Sequence, residues 1–156
     1  MPLSIRVAVM EGGPKLVPSG EAMERCRLTS PSYEAFIGDN PAAMAAARSA
    51  LADRDLARLG GVAEAQSVLL HRVLRDADPS IDLLRPPSRD VMDVVLRLRE
   101  RGVPCFFTID AGPSVAVFVE AAHADSVGSA MEAIPGVAQV LADDVAVGGA
   151  RFIEEA

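Results

Sequence analysis

The run Phe107-Thr108-Ile109-Asp110-Ala111-Gly112-Pro113-Ser114 sets a lone carboxylate where an apolar strand stops and a Gly-Pro turn begins. A carboxylate held by main chain at a sheet rim can accept or orient the proton of an alcohol. The small Ala111 and Gly112 after it let a substrate approach closely. The same residues also describe an ordinary turn, since Asp and Gly-Pro commonly end strands. Ser19, ahead of a helix, is the second candidate: its hydroxyl can contact a phosphate or cap that helix. His71 falls on an apolar helical stripe and reads as a packed, hydrogen-bonded residue. His123 reads as solvated at a helix start, and Glu64 as an exposed structural carboxylate. Arg97, Arg99 and Arg101 alternate with apolar residues along a helix and read as its wet side.

These residues need elements to position them. Leu3, Ile5, Val7 and Val9 alternate with Ser4, Arg6 and Ala8, which predicts a half-buried strand ended by Glu11-Gly12-Gly13-Pro14. Gly20 to Ile37 is helix-permissive with a break at Pro31. Asn40-Pro41 then predicts a cap and first turn for a helix running to about Arg54. Gly60-Gly61 predicts a separation before a helix from Val62 to Arg75. Pro79, Pro86 and Pro87 mark a connector, Ser88 a cap, and Gly102 the stop of the next helix. Cys105 to Ile109 and Val115 to Val119 predict two strands joined by the Asp110 turn. A helix from Ala124 to Ile134 follows, then strand-like runs Val137 to Leu141 and Val145 to Val147. That order predicts an α+β fold: a split β-α-β, ferredoxin-like antiparallel sheet with extra helices inserted after the first strand.

Composition excludes several classes of function. The chain has 156 residues, half of them hydrophobic, enough for one globular domain over 1–156 with a real core. A formal net charge of −7 argues against a broad surface for nucleic acid or an anionic membrane. Cys26 and Cys105 lack paired metal spacing and read as reduced, packed thiols, so no metal site is expected. No basic-then-apolar leader and no bilayer-length run occur, so the expected location is the cytoplasm.

Several separated segments resemble one family. Thr108-Ile109-Asp110-Ala111-Gly112-Pro113-Ser114 is similar to the Thr-Phe-Asp-Ala-Gly-Pro-Asn segment of the diphosphomevalonate decarboxylases, in the wider group of galactokinase, homoserine kinase, mevalonate kinase and phosphomevalonate kinase. Glu64-Ala65-Gln66-Ser67-Val68-Leu69-Leu70-His71 resembles that family's Glu-Ala-Asn-Ala-Leu-x-Met-His helix. Asp78-Pro79-Ser80-Ile81 falls where it often has a Pro-Pro-Ile turn. Pro18-Ser19-Gly20-Glu21-Ala22-Met23 with Thr29-Ser30-Pro31 resembles its Ser-Ser-x-x-Gly-Met segment followed by Thr-Ser, with Gly20 and Ala22 departing from the pattern.

The resemblance implies the carboxy-terminal half of such an enzyme, with Asp110 catalytic and Ser19, Ala111 and Gly112 at the substrate. It implies ATP and Mg2+, bound mostly outside this chain, and a mevalonate phosphate-type small molecule. It also implies an amino-terminal ATP-binding half as partner, because Gly12-Gly13-Pro14-Lys15 lacks the spacing of a phosphate loop. A half-enzyme of this kind is expected to expose an apolar face and self-associate, as a homodimer for instance. Two other readings stay open: a non-catalytic binding or dimerisation module on the same sheet, and another small-molecule kinase of the same group.

Overall fold

The structure is a computed structural model and describes residues 2–13 and 17–145. Four strands, β1 (Leu3–Met10), β2 (Cys105–Thr108), β3 (Val115–Glu120) and β4 (Val137–Asp144), form one sheet in the order β2-β3-β1-β4. All three pairings are antiparallel. This is the expected ferredoxin-like split β-α-β topology. The crossover from β1 to β2 carries four helices, α1 (Ser19–Thr29), α2 (Tyr33–Ala52), α3 (Leu56–Arg75) and α4 (Pro86–Glu100). The second crossover holds a 3₁₀ turn and α5 (Ala124–Glu132). Among the described residues no helix is long and apolar enough to cross a membrane.

The main core lies between one sheet face and helices α4 and α5. Val91 and Val95 from α4 and Val127 and Met131 from α5 meet Phe107, Val115, Val117 and Val119 of the strands. Strand β1 presents an unexpected set of residues to this core. Its buried positions are Ser4, Arg6, Ala8 and Met10, whereas Leu3, Ile5, Val7 and Val9 face the other side and are only half-buried. Alternation therefore located the strand but not its inner face. Arg6 is tolerated inside because its guanidinium donates to the Ile5 carbonyl at 3.0 Å and reaches Asp125 at 3.4 Å. A smaller second core joins Ala22 and Cys26 of α1 to Val73 and Leu74 of α3.

Three helix boundaries differ from expectation. Helix α2 begins at Tyr33 and runs through Asn40 and Pro41, so Asn40 is no cap. Pro41 sits on an exposed face, where the missing hydrogen bond to the preceding turn leaves a carbonyl open to water. Helix α3 is continuous across Gly60-Gly61 from Leu56. Gly60 is buried against Phe106, and a Cβ there would stand 2.6 Å from the Phe106 Cβ, so the glycine permits close helix–strand contact. Ser88 is the third helical residue of α4 rather than its cap, which is Arg85. The Gly102 stop is as expected: φ is +85°, Gly102 N–H reaches the Arg99 carbonyl, and Val103 N–H the Leu98 carbonyl. Of the last two strand-like runs, Val137 to Leu141 lies within β4, which continues to Asp144. Ala146 and Val147 lie outside the described residues, as do Pro14 and Lys15.

Gly60→Val is expected to cost about 1–3 kcal/mol through overpacking against Phe106. Thermal melting should show a lower midpoint, whereas the same change at the open Gly61 should cost far less.

Candidate active site

Strand β2 is at the sheet edge, with β3 on one side only. Unpaired backbone groups on such an edge need other partners. Helix α3 supplies them from one face, at positions i, i+3 and i+7. Glu64 Oε1 accepts the Phe107 N–H at 3.2 Å, and Ser67 Oγ accepts the Ile109 N–H at 3.0 Å. His71 Nε2 donates to the Asp110 carbonyl at 3.1 Å. A row of side chains thus stands where another strand would lie.

The row is itself anchored. Arg99 grips Glu64 through Nη1 at 2.9 Å and Nη2 at 3.1 Å, so Glu64 is not the exposed carboxylate expected and Arg99 is not on a purely wet face. Arg97 and Arg101 are exposed, as expected. His123 is half-buried rather than fully solvated and precedes α5.

The turn after β2 is clamped at both ends. Gly112 N–H donates to the Asp110 carbonyl at 2.7 Å, the same oxygen that His71 meets. At the far end the buried Ser88 hydroxyl donates to the Pro113 carbonyl at 2.6 Å, and the Arg85 N–H donates to Ser88 Oγ at 3.2 Å. Main chain is held on both sides while the Asp110 side chain stays exposed.

Asp110 borders two clefts. One, of about 250 Å³, opens over the half-buried sheet face at Val7 and Ala116 and includes Ala111 and Gly112. The other, of about 330 Å³, runs between α2 and α3 past Asn40, Met44 and Gln66. Among the described residues none donates a hydrogen bond to the Asp110 carboxylate. Among the described residues no Lys or Arg lines either cleft. The described residues contain no cluster of three or more His, Cys, Asp or Glu suited to a metal ion. The arrangement can present a carboxylate to a neutral hydroxyl; the described residues do not by themselves fit a polyphosphate or Mg2+.

Of the expected site residues, Asp110, Ala111 and Gly112 therefore come together. Ser19 does not join them in either cleft. It is the exposed first residue of α1, and Pro18 takes the cap position. Sequence reasoning missed Ser67 and Ser88. Their signal was a hydroxyl on the inner face of an otherwise apolar helix, which burial makes costly unless it is bonded.

His71 is the packed, bonded residue expected, at 3% exposure. Burial holds its imidazole below the ordinary value of 6.5, more than the bond to Asp110 offsets.

An open-faced, all-antiparallel α+β unit with an acid poised at the end of its edge strand defines the class. Residues 5–146 match the family model of the mevalonate 5-diphosphate decarboxylase C-terminal domain, and the chain belongs to that family. It is 25% identical over 122 residues to the diphosphomevalonate decarboxylase of Candida albicans, covering 78% of this chain and 34% of that protein. The mevalonate diphosphate decarboxylase of Staphylococcus aureus superposes with a TM-score of 0.85 at 32% identity, over 94% of this chain and 44% of that one. That of Enterococcus faecalis gives 0.79 at 26% identity, over 91% and 43%. The chain thus spans a third to under half of the length of these relatives.

The depressed His71 value has a definite sign. An unfolded histidine takes up a proton near pH 6.5 that the buried ring resists, so the contribution is whole above that pH and is lost as pH falls toward the folded value. Urea midpoints should fall between pH 7.5 and 5, and His71→Asn should remove that share of the slope. Asp76 and Asp82, both held below 3.8, act only at lower pH and do not mask it.

Proposed function

We propose that this chain is the substrate-binding, Asp110-bearing half of an ATP-dependent mevalonate diphosphate decarboxylase of isoprenoid biosynthesis. It works in the cytoplasm with an amino-terminal ATP-binding half. The observation that carries the reading is the Asp110 carboxylate: exposed, unbonded by described residues, bordering two clefts, with its main chain clamped. Such a group accepts or orients the proton of a substrate's tertiary hydroxyl, and Ala111 and Gly112 leave room for that substrate. Ser19 is assigned to the phosphate end.

A solved relative, 28% identical, is in complex with MVAPP, AMPPCP and magnesium. The described residues that line the clefts supply no cation to offset phosphate charge, so nucleotide and Mg2+ are assigned to the partner half and no step is routed through them. Two uncovered apolar regions support such a partner. Ile5, Val7, Phe118 and Leu141 share the sheet face that opens at the Asp110 cleft. Ile37, Met44 and Leu51, 44–58% exposed, repeat every seven residues along α2. Alone, the chain is inactive and self-associates through these surfaces. The same exposure favours the second reading, a dimerisation module that retains the turn without the chemistry.

The deciding assay mixes the chain with a separately produced amino-terminal half and ATP-Mg2+, then follows phosphate and carbon dioxide release from mevalonate mono- and diphosphates. Activity should require both halves, and Asp110→Asn should lower it by about 100-fold or more. An Asp110→Asn variant that folds and is fully active would sink the catalytic reading; an inert mixture whose isolated chain is a tight dimer would favour the module.

A further inference from the structure

A third cavity, of about 330 Å³, lies between α3, α4 and the end of β2. Its walls are apolar at Val68, Leu84, Met92, Phe107 and Ile109. Its polar side gathers His71, Arg75 and Arg89, with Asp93 also on the lining. Arg89 is tied to Asp82 at 2.6 Å; Arg75 makes no ion pair within 4 Å among the described residues, though its charge also acts on Asp76 and Asp82. Two of the lining side chains are cationic, Arg75 and Arg89, and one is acidic, Asp93, with Arg75 one helical turn from His71. An apolar pocket of this size with a few convergent polar groups suits a small ligand, and the charge excess at its histidine end suits an anionic head.

The cavity is also joined to the Asp110 turn. His71 is almost wholly buried, lines the cavity, and donates through Nε2 to the Asp110 carbonyl. That carbonyl also takes the Gly112 N–H, so a displaced ring disturbs the peptide on which Asp110, Ala111 and Gly112 sit. We propose that the α3–α4 cavity binds a small organic anion with a short apolar chain, its head at Arg75 and His71, and that the occupant acts on Asp110 through His71. The cavity shares Ser67 and Ile109 with the α2–α3 cleft but is not lined by Asp110, Ala111 or Gly112, and the proposal does not depend on Asp110 being catalytic. Arg75 and Arg89 attract the head, Asp82 and Asp93 oppose it, and the apolar walls take the chain.

NMR of the 156-residue chain tests this, following the Met92 and Ile109 methyls, the His71 ring, and the Ala111 and Gly112 amides. The probe is n-butyl phosphate, with butylammonium and inorganic phosphate alongside. Butyl phosphate should shift all five residues saturably and raise the pH at which His71 titrates. Arg75→Gln should weaken it about tenfold, as loss of one charge-assisted contact does. Met92→Phe, which narrows the apolar end, should weaken it while leaving the circular dichroism unchanged.

Absence of saturable shifts, or butylammonium binding as tightly as butyl phosphate, overturns the site. Inorganic phosphate matching butyl phosphate does the same, since it would mean an adventitious ion only. Shifts at Met92 and His71 that leave Ala111 and Gly112 unmoved overturn the link to Asp110.

Discussion

An edge strand must satisfy its outward backbone groups, and the arrangement around Asp110 follows from how β2 meets that demand. No fifth strand is paired to it among the described residues; α3 lays Glu64, Ser67 and His71 along the edge instead. Each bond sets the height of the next backbone group, and the last falls on the carbonyl of Asp110. The position of the acid is therefore a consequence of helix–strand register. Gly60 belongs to the same device, because only the absence of a Cβ lets α3 come close enough to Phe106 for the side chains to reach. Arg99 fixes Glu64, so α4 also bears on the edge, and Ser88 of α4 closes the turn from the other side.

Burial gives these contacts their weight. A buried hydroxyl or imidazole left without a partner costs about 1–3 kcal/mol, so Ser67, Ser88 and His71 are tolerated inside only in the arrangement that satisfies them. A turn whose two ends are held this way has little conformational freedom left to lose on binding any molecule. The carboxylate at its centre, unbonded by any described residue, contrasts with the engaged backbone around it.

The sheet is asymmetric. One face is closed by α4 and α5, and the other leaves Ile5, Val7, Val9 and Phe118 half-exposed beside the Asp110 cleft. Strand β1 shows that its sequence serves both faces: the stronger apolar set lies on the open side, and the closed side accepts Ser4 and Arg6 because each finds a bond, Ser4 to Asp144 at 2.5 Å. The chain spans under half the length of its solved relatives.

Local periodicity and turn chemistry were enough to place the four strands, the α+β order, the break near Pro31, the Gly102 stop and the turn that carries Asp110, because each depends on neighbours close in sequence. The family was legible in the segments around Asp110 and from Glu64 to His71 for the same reason. Which face of β1 is inside, whether Gly60 interrupts a helix or lets it pack, and what Glu64 and Ser88 do were decided only in three dimensions. Those outcomes rest on partners 25 to 140 residues away, as in Ser88 with Pro113 or Ser4 with Asp144, and no local pattern encodes the partner's identity. The same limit applies to Ser19: sequence could nominate it together with the contiguous Asp110-Ala111-Gly112, but only the fold shows that the described linings of the two clefts at Asp110 do not include it.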